Sequence, residues 1–151
     1  METVKSNIIS IRNIIITSKT CDQLIELYNY FEENKELNYE KFNDILTKIL
    51  QNNNHNIFLY IDESNNILGA ITLLTEQKFI HNGKCVAHIE DFVVKKEYRS
   101  QNIGKDLMNY AINYAKQNNC YKIILDTDTK LVNYYSNYGF VNKGVYMGYY
   151  F

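Results

Sequence analysis

HIEDFVVKKEYRSQNIGKDLM, running from His88 to Met108, is the stretch that decides the fold. It reads as a strand, a polar loop and a helix in succession. The strand covers 85–94 and is rich in β-branched and apolar residues. The loop covers 95–103 and ends at Gly104, from which a helix runs to about 118. Leu107, Met108, Ala111, Ile112 and Ala115 recur there at helical spacing and predict its buried stripe. Such a junction leaves free backbone N–H groups at the positive end of a helix. That end holds a phosphate or pyrophosphate without a basic residue on every oxygen. Arg99 and Lys105 flank the loop and add charge. The glycine-lysine pattern of a P-loop is absent, and so is the three-glycine dinucleotide fingerprint.

The elements on either side extend the pattern. Residues 8–16 form an apolar, β-branched run that predicts a first strand. Thr17, Ser18 and Thr20 offer N-caps for a helix reaching about 33, with Leu24, Ile25, Leu27, Tyr28 and Phe31 at helical spacing. A second helix is expected over 39–50, carrying Phe42, Ile45, Leu46 and Ile49. Residues 56–61 and 67–74, joined by the turn 63–66, predict a hairpin. After the central stretch, 122–126 reads as a short strand and 130–138 as a short helix closed by Gly139. Residues 145–151 read as a final aromatic strand. The whole predicts an α/β (α+β) fold, a mixed sheet with helices on its faces, in one domain over 1–151.

Composition narrows the function. The chain has 151 residues, with 16 basic against 17 acidic, a net charge of −1 and a pI near 6.3. This balance argues against a nucleic-acid surface, including for the aromatic residues of the tail. No run suits a membrane span, and no leader segment is expected. Cys21, Cys85 and Cys120 make an odd set without a C-x-x-C pair, which points away from a disulfide framework or zinc site. A cytoplasmic protein without a metal is the expectation. Cys120 is expected to be buried, and the aromatic tail to pack on the sheet or in a dimer interface.

Three blocks then identify a family. The loop Arg99-Ser100-Gln101-Asn102-Ile103-Gly104 resembles the acyl-CoA loop of the GNAT N-acetyltransferases, Arg/Gln-x-x-Gly-x-Gly/Ala. Asn102 replaces the usual glycine, and asparagine tolerates positive φ best after glycine. Lys78-Phe79-Ile80-His81, His88-Ile89-Glu90-Asp91 and Cys120 to Asp126 resemble the glucosamine-6-phosphate N-acetyltransferase family. So do Tyr135, Gly139-Phe140 and the run Lys143 to Met147.

The resemblance implies the GNAT fold, acetyl-CoA as co-substrate and the amine of D-glucosamine 6-phosphate as acceptor, on the route to UDP-N-acetylglucosamine. It implies a homodimer with no nucleic-acid or membrane partner. Phe92, Val93 and Val94 would lend backbone groups to the pantetheine arm, and Ser100 to Lys105 (Ser100, Gln101, Asn102, Ile103, Gly104, Lys105) would cradle the pyrophosphate. Glu90 and Asp91 would meet the sugar, with Glu90 taking the amine proton directly or through a water. Tyr121, Lys122 and Asp126 would line the sugar site, Lys122 suiting a phosphate and Asp126 the amine. Lys78, Phe79, Ile80 and His81 would reach the sugar phosphate across the dimer. Tyr135 would stand near the sulfur and serve the departing thiolate.

Departures qualify the match. Leu131 stands where relatives often carry asparagine, and Tyr150 where some end in arginine. Residues 31–34 lack a threonine-containing stretch that some relatives use. Two other readings stay open. One is a GNAT enzyme for another small amine or peptide, and the other a non-catalytic acyl-CoA-binding module, kept open by Asn102 and Leu131.

Overall fold

Alternation of apolar residues along each strand gives the sheet two faces, and both are covered. The computed structural model describes residues 7–31 and 37–151. Its strands are β1 (Ile8–Ser10), β2 (His55–Ile61), β3 (Ile67–Gln77), β4 (Cys85–Val94) and β5 (Cys120–Ile124). They form one sheet in the order β1-β2-β3-β4-β5. The first three neighbour pairs are antiparallel, and β4 with β5 is parallel. The helices are α1 (Ser18–Tyr28), α2 (Tyr39–Gln51), α4 (Ile103–Gln117) and α5 (Val132–Ser136), with α3 (Ile80–Gly83) a single left-handed turn in which His81, Asn82 and Gly83 take positive φ.

Helices α1 and α2 cover one face. Leu24, Leu27, Phe42 and Leu46 pack there against Ile57, Leu59, Ile67 and Val93. Helix α4 covers the other face, where Leu107, Met108 and Ala111 meet Phe58, Ile71, Ala87 and Ile89. Capping explains the starts of α1 and α2: Thr17 accepts from the Thr20 N–H and Asn38 from the Lys41 N–H. The hairpin turn is held by Asp62, whose carboxylate accepts from the Ser64 and Asn66 N–H groups. Asn65 supplies the positive φ of 59° that such a turn needs. The Arg12 guanidinium donates to the carbonyls of Ile49, Leu50, Asn52 and His55, tying the end of α2 to the edge of the sheet.

Several expectations need correction. The first strand stops at Ser10, because residues 11–13 tighten into a 3-10 turn that buries Ile11. Helix α1 ends at Tyr28; residues 32–36, which include the far end of the expected helix and most of 31–34, lie outside the described residues. β5 starts two residues before the expected 122 and ends at Ile124, so Asp126 lies in the loop beyond it. The short helix is split into a 3-10 turn (Thr129–Leu131) and α5, and Gly139 closes the following turn at φ +89°. Residues 145–151 form no strand and join no sheet among the described residues. Val145, Tyr146, Met147, Tyr149, Tyr150 and Phe151 are each at least 65% exposed. Cys120 is half-buried rather than buried, and β4–β5 pairing sets it opposite Cys85.

One irregularity positions everything functional. Ala70 pairs with Val93 but Thr72 with Glu90, so β4 carries an extra residue opposite Ile71. Asp91 takes a left-handed φ of 44° at this bulge. Side-chain alternation inverts across it: Ala87 and Ile89 face α4, whereas Val93 faces α1 and α2, and Phe92 and Val94 turn to the α4 side. Left-handed backbone costs a residue with a Cβ roughly 1–2 kcal/mol, least for Asn and Asp. Asp91→Asn should therefore keep the unfolding free energy within about 0.5 kcal/mol. Asp91→Val should lose about 1–2 kcal/mol, measured by denaturant unfolding.

Candidate active site

Parallel pairing of β4 with β5 runs from Cys85–Cys120 to His88–Ile124 and stops. β4 continues to Val94, while the chain after Ile124 leaves the sheet as loop. The two strands splay, and a cleft of about 240 Å³ opens between them. Its walls include Glu90, Asp91 and Phe92 from β4, Asp126 from the loop after β5, Leu131 from the 3-10 turn and Tyr135 from α5. Three predicted catalytic residues, Glu90, Asp126 and Tyr135, thus converge from three separate elements. Phe31, Leu125, Thr127 and Asp128 also line the cleft, and nothing in their sequence context singles them out.

The cleft has a distinct electrostatic character. Glu90 is open to solvent as a residue, yet the walls withdraw water from its carboxyl. That desolvation, with the charges of Asp91 and Asp126, pushes its pKa above the usual 4.5, against a smaller opposing effect of His88. The Tyr135 phenol is also pushed up, by burial first and then by Tyr138, so it remains protonated at neutral pH. Tyr146 in the tail is raised mainly by its hydrogen bond to Tyr150. The charges of Asp126 and Glu90 add to the same shift. A ring of carboxylates without a cation in its lining suits an ammonium group.

The splayed edge and the loop beyond it suit a pantetheine and pyrophosphate. The Lys95 N–H bonds to the Leu68 carbonyl, so backbone alternation turns Val94 toward the open edge. The Val94 carbonyl on that edge accepts from Arg99 Nε at 3.1 Å. Val93 and Ile103 have buried side chains, and Val93 pairs with Ala70 of β3, so the same alternation turns the Val93 backbone groups away from the open edge. Ser100 and Asn102 take positive φ of 74° and 63°, and Asn102 stands as the N-cap of α4. These left-handed positions turn the exposed segment Arg99, Ser100, Gln101, Asn102 into the first turn of the helix, beside the exposed Lys105. A Cβ on Gly104 would meet the Tyr134 hydroxyl at 3.0 Å and the Phe92 ring at 3.4 Å. Those rings stack with centroids 6.5 Å apart, so a Cβ at the last position of the loop would require the Tyr134 hydroxyl to give way by a few tenths of an ångström.

The predicted phosphate-side residues gather elsewhere. Lys78 bonds to Glu76, which also meets His88 Nε2 at 3.0 Å. His81, left-handed at φ 52°, stacks on Tyr121 at 3.9 Å, and Lys122 Nζ lies 5.5 Å from the same ring. Phe79 and Ile80 are exposed beside them. Lys122 pairs in register with Val86, four strand residues before Glu90, or roughly 13 Å along the sheet. None of Lys78, Phe79, Ile80, His81, Tyr121 or Lys122 lines the cleft of its own chain.

Comparison with known proteins follows the same lines. Residues 19–140 match the acetyltransferase (GNAT) family. Glucosamine 6-phosphate N-acetyltransferase 1 of Dictyostelium discoideum is 38% identical over 118 residues, 77% of this chain and 73% of the relative. A rice (Oryza sativa subsp. japonica) protein, named a probable glucosamine 6-phosphate N-acetyltransferase, is 41% identical over 85 residues, 56% of this chain and 51% of its own length. The chain thus spans about half of that relative. The crystal structure of glucosamine-6-phosphate N-acetyltransferase from Arabidopsis thaliana superposes with a TM-score of 0.83 at 26% identity, covering 95% of this chain and 98% of that one. The fold, the splayed strands and these matches agree: the chain belongs to the GNAT acetyltransferases, within the glucosamine-6-phosphate N-acetyltransferase family.

Proposed function

We propose that the protein transfers the acetyl group of acetyl-CoA to the amine of D-glucosamine 6-phosphate, giving N-acetyl-D-glucosamine 6-phosphate and CoA. The observation that carries this reading is the convergence of Glu90, Asp126 and Tyr135 on one cleft where β4 parts from β5, in a chain of this family. The product suits the route to UDP-N-acetylglucosamine. Among the described residues no helix is long and apolar enough to cross a membrane, and a cytoplasmic site of action fits that route.

The reaction forms a C–N bond and breaks a C–S bond. Acetyl-CoA supplies an activated thioester carbonyl; the chain supplies proton handling, orientation and charge stabilisation. Asp91 and Asp126 attract the sugar ammonium into the cleft. Glu90 takes its proton, directly or through a water, and its raised pKa makes it a stronger base than an ordinary glutamate. The amine then attacks the thioester carbon, and a backbone N–H on the open edge, from Phe92 or Val94, holds the developing oxyanion. Tyr135 donates a hydrogen bond to the departing sulfur. Its phenol holds its proton more tightly than a thiol of pKa about 8.5, so it stabilises the thiolate rather than acting as a net proton source.

The sugar phosphate needs a cation that the cleft lining of one chain does not contain. A second copy would bring Lys78 and His81, or Lys122, to the cleft, and the exposed tail and Phe79–Ile80 offer apolar surface for such a homodimer. The test is to incubate the protein with acetyl-CoA and either glucosamine 6-phosphate or unphosphorylated glucosamine, and to identify products by mass spectrometry. Acetylation confined to the phosphorylated sugar is expected; acetylation of both alike, or of neither, overturns the reading.

Substitutions in the cleft have defined expected effects. Glu90 works only when ionised, so kcat/KM falls as pH drops through its pKa, and the fall begins above the ordinary 4.5. Asp126→Asn removes one charge that raises that pKa, so the acid limb should move to lower pH. Glu90→Gln should lower kcat about 10²-fold or more while acetyl-CoA binding by calorimetry is unchanged. Tyr135→Phe should slow single-turnover acetyl transfer about 10-fold or more, the loss of one hydrogen bond to a developing charge, with KM for the sugar phosphate unchanged.

A further inference from the structure

Cys85 and Cys120 stand far apart in the sequence, yet the parallel ladder makes them direct partners at the first rung between β4 and β5. Parallel neighbours in register put their side chains on the same sheet face. Cys85 alternates with Ala87 and Ile89, which face α4, and Cys120 packs among the residues of that same side. Adjacent strands lie about 4.8 Å apart, inside the roughly 4.4–6.8 Å span of Cα separations that a disulfide bridges. Both thiols are half-buried and free, whereas Cys21 is buried on the inner face of α1. Cys85 Sγ lies 3.4 Å from Gln77 Oε1 on the strand at its other side. The β4–β5 register shifts between Cys85 and Val86, and Tyr121 is the residue left over. That bulge gives β5 slack to bring the two sulfurs together.

We propose that Cys85 and Cys120 are a vicinal redox pair, closed into a disulfide by hydrogen peroxide and reopened by a small thiol. The thiolate of Cys85 attacks one peroxide oxygen, giving a sulfenic acid and hydroxide. The thiol of Cys120 then displaces water from that sulfur. Two thiols lose two electrons and two protons, and the peroxide becomes two waters. Cys120 suits the second role, because burial and the nearby Cys85 hold its thiol above the usual value and limit its thiolate. The pair adjoins Tyr121, on which His81 stacks, so the cross-link ties the strand ends that carry the cluster of His81, Tyr121 and Lys122. This inference does not depend on which acceptor the cleft uses.

The test treats the full chain with hydrogen peroxide, alkylates the remaining thiols and maps peptides by mass spectrometry. The expected result is a single chain with no interchain disulfide, about 2 Da lighter before alkylation, with Cys85 joined to Cys120, Cys21 alkylated, and full reversal by dithiothreitol. Cys85→Ser should abolish the loss of mass and leave Cys120 alkylated. Separate sulfinic acids on the two residues, a bridge to Cys21, disulfides only between chains, or three thiols all still alkylated would each overturn the proposal. Peptide mapping of the wild-type chain alone separates these outcomes, so the proposal stands or falls even where the variant fails to fold.

Discussion

The left-handed turn at Asp91 is the constraint on which the rest of the site depends. A strand that ran straight through 85–94 would keep its alternation and place Phe92 and Val94 on the face of α1 and α2. One extra residue in β4 inverts that order. It bends the strand away from β5, exposes a row of backbone groups on its edge, and aims Glu90 and Asp91 into the resulting gap. An aspartate bears the positive φ at lower cost than most residues, and its charge also contributes to the field at Glu90. Backbone geometry and electrostatics are therefore joined in one side chain.

The loop before α4 applies the same device a second time. Ser100 and Asn102 both take left-handed backbone, and Gly104 yields its Cβ space to the Tyr134 hydroxyl and the Phe92 ring. Gly104 thus seats the start of α4 against an aromatic stack that joins β4 to α5. Arg99, a residue of the family pattern, bonds the Val94 carbonyl and lies 6.0 Å from the Tyr30 ring. Its positive charge borders the cradle while its Nε closes the strand.

Charge divides the molecule into two regions. Carboxylates line the cleft, and lysines and histidines gather at the other end of β4 and β5. An acceptor carrying both an ammonium and a phosphate needs both regions at once. A single chain keeps them roughly 13 Å apart along the sheet. That separation, together with an aromatic tail that pairs with no strand among the described residues, is what supports the proposed second copy.

Much of this is legible in the chain itself. Local signals suffice for α2, the hairpin, the 85–94 strand and the helix behind Gly104, because caps, periodicity and turn residues act over a few positions. Asparagine at 102 also declares its left-handed backbone through its own chemistry. The tail reads as a strand and is none, since an aromatic, β-prone run satisfies strand propensity whether or not an edge is there to pair with it. The same limit applies to the bulge at Asp91, the meeting of Cys85 with Cys120, and the lining of the cleft by Phe31 and Thr127. Those depend on register and on contacts between residues distant in sequence. Sequence alone determined which chemical groups and which local turns were present; only tertiary packing, by choosing the register and the splay of two strands, decided which of them could meet.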